Sequence, residues 1–376
     1  MSFGLYLHVP FCEQHCHYCT FPISLSPASA HRPYIERLKK ELERDPPSRA
    51  PSTIYLGGGT PSLIAPDLLA DLLGRWRETA GEVSIEVNPG TLTTESVDAY
   101  LEMGIDRVSL GAQSFDPNEL RAAGRLHSPE DTVADYERLR ERGFQNISFD
   151  LIAGLPGQRH EVWDANLDWV IRLGPDHVSV YLLELEDSAL WARQAAERPG
   201  DESSAWFYRR AADRLADAGY RHYETSSWAR PGMECRHNIG YWTGVEYRGA
   251  GIGAHSFVGN RRFWNFRNLA AYAAAIDNDG SPVEDAEERT VVMQLEEAFL
   301  LGLRRAEGFS ADAVARELGI DYPQEWFERV DSLSEAGLIE FDGQVVRLAP
   351  DGWLLATSIT EELLCPSLLS ICEATR

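Results

Sequence analysis

The sequence lacks any long apolar run: nowhere do the about 18 uncharged apolar residues needed to cross a bilayer follow one another. It is also short of positive charge. Its 35 Lys and Arg stand against 59 Asp and Glu, a formal charge of −24, which works against the cationic face that nucleic acid requires. Nucleic acid is therefore disfavoured as a partner and a transmembrane segment is not expected, while peripheral membrane contact stays open. The first ten residues carry neither a basic head nor a small-residue cleavage pattern, so a cytoplasmic location is the expectation. Cysteine is scarce too. Six in 376 residues are too few for a disulfide scaffold, yet Cys12, Cys16 and Cys19 crowd together, which in a reducing compartment points to metal.

What is present is an alternation of short β-branched runs and longer amphipathic segments. Strands are expected at 3–9, 53–56, 83–87, 107–112, 146–152 and 177–183, with helices between them at 34–43, 67–77, 94–103, 129–142 and 161–173. Six repeats of strand then helix imply parallel strands with sites at their carboxyl ends, hence an α/β fold built on a partial (β/α)6, TIM-like barrel. Residues 1–227 are assigned to it. Residues 228–286, rich in Tyr, Trp, Gly and Arg and with few clear helices, read as a sheet-and-loop extension, its end running into a charged connector at 277–289. Residues 287–376 hold helical runs and a hairpin around Asp342-Gly343, a winged-helix-like domain. Its acidity favours a lid or docking role over DNA binding.

The three cysteines directly follow the first strand, at the barrel end where chemistry gathers. Spacings of four and three let a loop wrap three thiolates around one corner of a cubane iron–sulfur cluster, leaving one iron open. The alternatives are incidental thiols, or zinc completed by His15 or His17, although the spacing is not that of common zinc fingers. Gly57-Gly58-Gly59-Thr60-Pro61 follows the second strand, where missing side chains let backbone approach a ligand. It is not a phosphate loop, because no Gly-Lys-Ser/Thr follows. Polar groups recur near strand ends at Glu86 in Glu-Val-Asn-Pro, Gln113, Arg125 and Asp150.

Tyr6-Leu-His-Val-Pro-Phe-Cys12-x3-Cys16-x2-Cys19 with Gly-Gly-Gly-Thr-Pro resembles the radical S-adenosylmethionine (SAM) proteins of the coproporphyrinogen dehydrogenase group. The resemblance implies a [4Fe–4S] cluster on Cys12, Cys16 and Cys19, with SAM chelating the open iron and cleaved to a 5′-deoxyadenosyl radical. It implies a SAM pocket of Tyr6, Tyr18, Gly58, Gly59, Thr60, Glu86, Gln113, Arg125 and Asp150, and an electron donor such as a flavodoxin or ferredoxin.

Within that group, coproporphyrinogen dehydrogenases carry a fourth cysteine where this chain has Phe21, and a long arm where only five residues precede Tyr6. Cys235-Arg-His237-Asn238-Ile-Gly-Tyr241-Trp242 instead resembles the signature of heme chaperones of the HemW type. That resemblance implies heme bound by His237, Asn238, Tyr241 and Trp242, with His237 on the iron, and delivery to acceptor hemoproteins. Cys235 is the alternative ligand. Imidazole ligates heme iron and aromatic rings lie against a flat macrocycle. Thr20 stands where chaperone-like sequences usually place Asp. The competing reading is an oxygen-independent coproporphyrinogen III dehydrogenase, decarboxylating propionate side chains in heme biosynthesis.

Overall fold

The computed structural model describes residues 2–194 and 196–374. The expected repeats are there. Strands β1 (Gly4–Val9), β2 (Thr53–Gly58), β3 (Glu82–Val87), β4 (Arg107–Gln113), β5 (Asn146–Ala153) and β6 (His177–Leu182) pair in parallel in chain order. The helices between them include His31–Arg44, Pro66–Leu73, Thr94–Glu102, Pro129–Arg142 and His160–Leu173. Two of these start at capping boxes, Thr93 with Ser96 and Ser128 with Asp131, which satisfy N–H groups the first helical turn leaves unbonded.

Alternation along each strand sorts the side chains. Leu5, Leu7, Val9, Ile54, Leu56, Ile85, Val108, Phe149 and Val178 face the helices and form the main core. The residues between them are largely polar and bond across strands, Tyr55 to Glu86, Ser109 to Asp150 and Ser148 to His177, while Tyr6 bonds His8 on its own strand. A parallel strand buried on both faces ordinarily reads as a continuous apolar run. Here the second face instead lines an interior built for polar contacts.

The barrel stays open, the one sheet continuing past β6 on one side and past β1 on the other. The hairpin β7 (Arg221–Glu224) and β8 (Ser227–Ala229) adds antiparallel to β6. Strand β9 (Tyr247–Ala250) lies parallel beside β1, followed outward by β10 (His255–Val258), β11 (Arg261–Asn265) and β12 (Val283–Glu288). Two expected boundaries thus shift: 227/228 cuts β8, and 286/287 cuts β12. Residues 228–286 continue the same sheet, and the charged connector contains its edge strand, whose acidic residues suit an edge because they discourage further pairing. The extension also holds two helices, Arg236–Trp242 and Leu269–Asp277.

A buried ion pair joins this extension to the barrel. Glu41, on the helix His31–Arg44, accepts from Arg248 (2.8 Å), Gly251 N–H (3.0 Å), Asn265 (2.8 Å) and Tyr272 (2.7 Å). The C-terminal part has its own core around Leu295, Phe299, Trp326, Val330 and Leu368. Three helices, Val291–Gly302, Ala311–Leu318 and Gln324–Glu335, pack with a small sheet of β13 (Phe309–Ser310), β14 (Ile339–Phe341) and β15 (Val345–Leu348) in the order β13-β15-β14. Among the described residues no single helix is long and apolar enough to cross a membrane. The bent pair Pro350–Leu363 and Pro366–Ala374 has the length and apolarity of a span, but buries Ile359, Leu363, Leu368 and Cys372 in that C-terminal core.

Candidate functional site

The chain after β1 closes into a loop because Cys12 N–H donates to Ser24 O (3.0 Å) and Ser24 N–H to Pro10 O (2.7 Å). Inside it Cys19 N–H turns back to Cys16 O at 3.1 Å. The loop is pinned from across the barrel end: Gln14 donates to Gly124 O (3.1 Å), and His17 N–H to Ala123 O (3.0 Å). Neither nearby imidazole turns its full donor set to the sulfurs. His15 bonds Cys19 O at 3.0 Å and His17 bonds Ala122 O at 2.8 Å. Among the described residues, no three His, Cys, Asp or Glu are gathered to hold a single metal ion.

Two sulfurs receive hydrogen bonds from neighbouring segments, one just after β2 and one in the loop around residue 125. Thr60 Oγ1 donates to Cys12 Sγ and Arg125 Nη1 to Cys16 Sγ, each at 3.6 Å. Asn88 ties these donors together, its Nδ2 donating to Thr60 Oγ1 (2.9 Å) and its Oδ1 accepting from Arg125 Nη2 (2.9 Å). Arg125 also donates to Gly111 O at 2.9 Å. Burial raises the Cys12 and Cys19 thiols, Cys19 to about 11, with the Thr60 hydroxyl pulling Cys12 back and Arg125 countering both. Burial works against the Arg125 charge, but Tyr18 and Cys16 beside it raise its pKa. The donor set fits a cluster: three thiols in one loop, with hydrogen-bond donors and a cation placed to stabilise them as thiolates. Asn88 is the residue the sequence reading passed over. It stands two places after Glu86 in the Glu-Val-Asn-Pro segment, and its position at a strand's carboxyl end was the available signal.

Beside the loop lies a cavity of about 510 Å³. Tyr6, Gly58 and Glu86 line it, three of the residues expected for SAM, and so does Tyr241 from the other expected site. Gly58 has φ +117°, and a Cβ there would sit 2.5 Å from the His8 ring, so only glycine suits. The His8 ring is held by Tyr6 OH (3.1 Å) and Pro22 O (2.9 Å). Glu86 accepts from Gly58 N–H and Tyr55 OH, both at 3.0 Å, but burial outweighs these bonds and lifts its carboxyl to about 7. Gly59 packs its backbone against Pro10 and Phe11. Asp150 is deeper, bonded by Ser109 at 2.9 Å and raised by burial. Gln113 takes a left-handed φ of 63° at an irregularity where β4 ends, and Tyr18 packs against Trp191. The cavity and its glycine floor fit a small polar cofactor beside the thiols.

His237 lies at the opposite end of the strands. Its helix, Arg236–Trp242, starts on Glu82 at the beginning of β3, which accepts from Arg236 N–H and His237 N–H, both at 2.9 Å. The His237 ring is buried, bonded through Nδ1 to Thr53 Oγ1 and through Nε2 to Tyr241 OH, both at 2.9 Å. Both nitrogens are engaged, so ligation by this imidazole costs one of these bonds. Burial holds it neutral, with its pKa lowered to about 3, and pushes the Cys235 thiol to about 12. Asn238 and Trp242 are half-buried on the same helix, with Arg304 above the Trp242 ring.

A model of the radical SAM superfamily matches residues 6–170, and one of the HemN C-terminal domain matches residues 293–355. The solved structure of coproporphyrinogen III oxidase (HemN) from Escherichia coli superposes with a TM-score of 0.84 at 23% identity, covering 96% of this chain and 90% of that one. The open parallel sheet with its thiol loop is thus the fold of a radical SAM protein, a class that uses SAM and a [4Fe–4S] cluster. Heme chaperone HemW of Bacillus subtilis is 32% identical over 94% of this chain and 97% of its own length. Its namesake in Mycobacterium tuberculosis H37Rv is 36% identical over 96% and 95%. The chain belongs to the HemW family.

Proposed function

We propose that this protein binds heme and delivers it to acceptor hemoproteins. The observation that carries the reading is similarity to heme chaperones along nearly the whole chain, together with the His237-to-Trp242 helix. Tyr241 faces both the 510 Å³ cavity and a smaller one of about 200 Å³ that His237 lines, so this helix joins the amino end of the barrel to the cofactor side. His237 holds the Tyr241 hydroxyl, which fixes an aromatic ring on the cavity wall, a group that packs well against a flat macrocycle.

Cys12, Cys16 and Cys19 would hold the cluster, with Thr60 and Arg125 stabilising the thiolates; Tyr6, Gly58 and Glu86 would hold SAM. When bound, the cluster supplies an open iron for SAM and an electron for its cleavage. A flavodoxin or ferredoxin is the class of donor such a cluster requires.

Titrating cluster-loaded protein with hemin tests the reading. A saturable Soret band at one heme per chain is expected, together with transfer to an apo-hemoprotein; free-hemin absorbance throughout the titration would refute it. Anaerobic incubation with coproporphyrinogen III, SAM and a reductant is expected to leave the propionates intact.

A further inference from the structure

The glycine-rich segment at 249–253 and the rest of the large cavity remain unused by the function above. Tyr6, Gly58 and Glu86 occupy one side of that cavity; the other is lined by His255, Arg262, Arg267, Tyr247 and Phe257, with Tyr241 between. These are groups an iron porphyrin uses: a nitrogen ligand, flat apolar walls and a cation for a carboxylate.

His255 begins β10 and stacks on Trp264 of β11, ring centroids 5.5 Å apart. Its backbone is fixed by close packing, since a Cβ on Gly249 would lie 2.0 Å from the His255 carbonyl oxygen. Unlike His8, which lines the same cavity with both nitrogens committed, its ring makes no hydrogen bond among the described residues. Desolvation and the charges of Arg267 and Arg262 lower its pKa, favouring the neutral imidazole that ligates metal.

The two arginines differ. Arg262 is paired with Glu297 at 2.8 Å, whereas Arg267 is exposed and spends one nitrogen on Thr20 O at 3.0 Å. Arg267 therefore keeps donors for an incoming carboxylate while touching the loop that carries Cys19. Glu297 on the same lining is held by Arg262 and Arg289, both at 2.8 Å, so Arg267 is the cation left facing an incoming carboxylate.

We infer that heme docks in the large cavity with His255 on its iron and a propionate on Arg267, and that His237 acts only through Tyr241. The inference rests on the heme-binding reading.

The test is hemin titration of the full, cluster-loaded chain, followed by absorbance and resonance Raman. His255→Ala is expected to shift the Soret maximum and weaken binding about tenfold, and added imidazole to restore the parent band. Arg267→Glu is expected to weaken binding about tenfold with the band position unchanged, because the iron ligand remains. Parent-like spectra and affinity in His255→Ala would overturn the inference while leaving heme binding intact. A parent chain that binds no hemin would overturn both.

Discussion

Replacing Gly59 with Ala tests the coupling between the glycine turn and the cysteine loop. Gly59 N–H donates to Val9 O at 2.7 Å and Thr60 N–H to Phe11 O at 2.8 Å, which zips residues 59–60 against 9–11. A Cβ at 59 would lie 2.6 Å from the Pro10 carbonyl and 2.8 Å from Phe11 O. Carbon contacts relax only near about 3.5 Å, so the two segments must part by about 1 Å. The atoms met are backbone, which cannot swing aside as a flexible side chain does. Overpacking of this kind costs about 1–3 kcal/mol. The larger effect falls on Cys12, one residue beyond Phe11, because metal–ligand distances tolerate only about 0.2 Å. Anaerobic reconstitution is expected to leave Gly59→Ala well short of the parent's iron and acid-labile sulfide, and the apo protein is expected to melt several degrees lower. Full cluster content with an unchanged melt would refute the steric argument.

Asn88→Ala breaks the link between Thr60 and Arg125 without touching a thiol. Loss of such a supporting contact typically weakens metal binding 10- to 100-fold, roughly, and should appear as faster loss of the cluster to a chelator; an unchanged loss rate would count against the network. Glu41→Ala leaves Arg248 buried without its main partner, and about 3–5 kcal/mol of stability is expected to go, read by urea unfolding. A loss under about 1 kcal/mol would show that Asp45, 3.2 Å from Arg248, suffices. Acid sensitivity follows from His237. With a folded pKa near 3, its ring stays neutral while the unfolded ring takes a proton below the ordinary value of about 6.5, so stability falls as pH drops through that window. The slope is about 1.4 kcal/mol per pH unit for one such group, and His237→Gln is expected to flatten the unfolding profile between pH 6 and 4 by that amount; an identical slope would contradict the burial.

The six parallel strands were legible because each is a short run rich in β-branched and other apolar residues at alternate positions with a turn after it, and their ends move by only a residue or two. The thiols, Gly58 and Thr60 were legible because their spacing is local. What stayed hidden depends on distant partners. Helix Arg236–Trp242 is brief and aromatic, and its start is set by Glu82, 155 residues from His237. Val283–Glu288 looks like a solvated connector because edge strands carry charge. Asn88 gains its role only when the ends of β2 and β3 and the loop around Arg125 meet. The sequence also placed His237 in a heme motif without revealing that the fold commits both its nitrogens, or that His255 opens onto the larger cavity.

Three thiols that hold a cluster in a protein that also takes heme leave a joint spectroscopic signature. The most direct measurement is the anaerobic absorption spectrum of the reconstituted chain, with iron and sulfide counts, before and after hemin. About four irons and four sulfides per chain are expected, and then a Soret band added without loss of the cluster. Stoichiometric zinc with no inorganic sulfide, and no Soret band, would contradict this expectation.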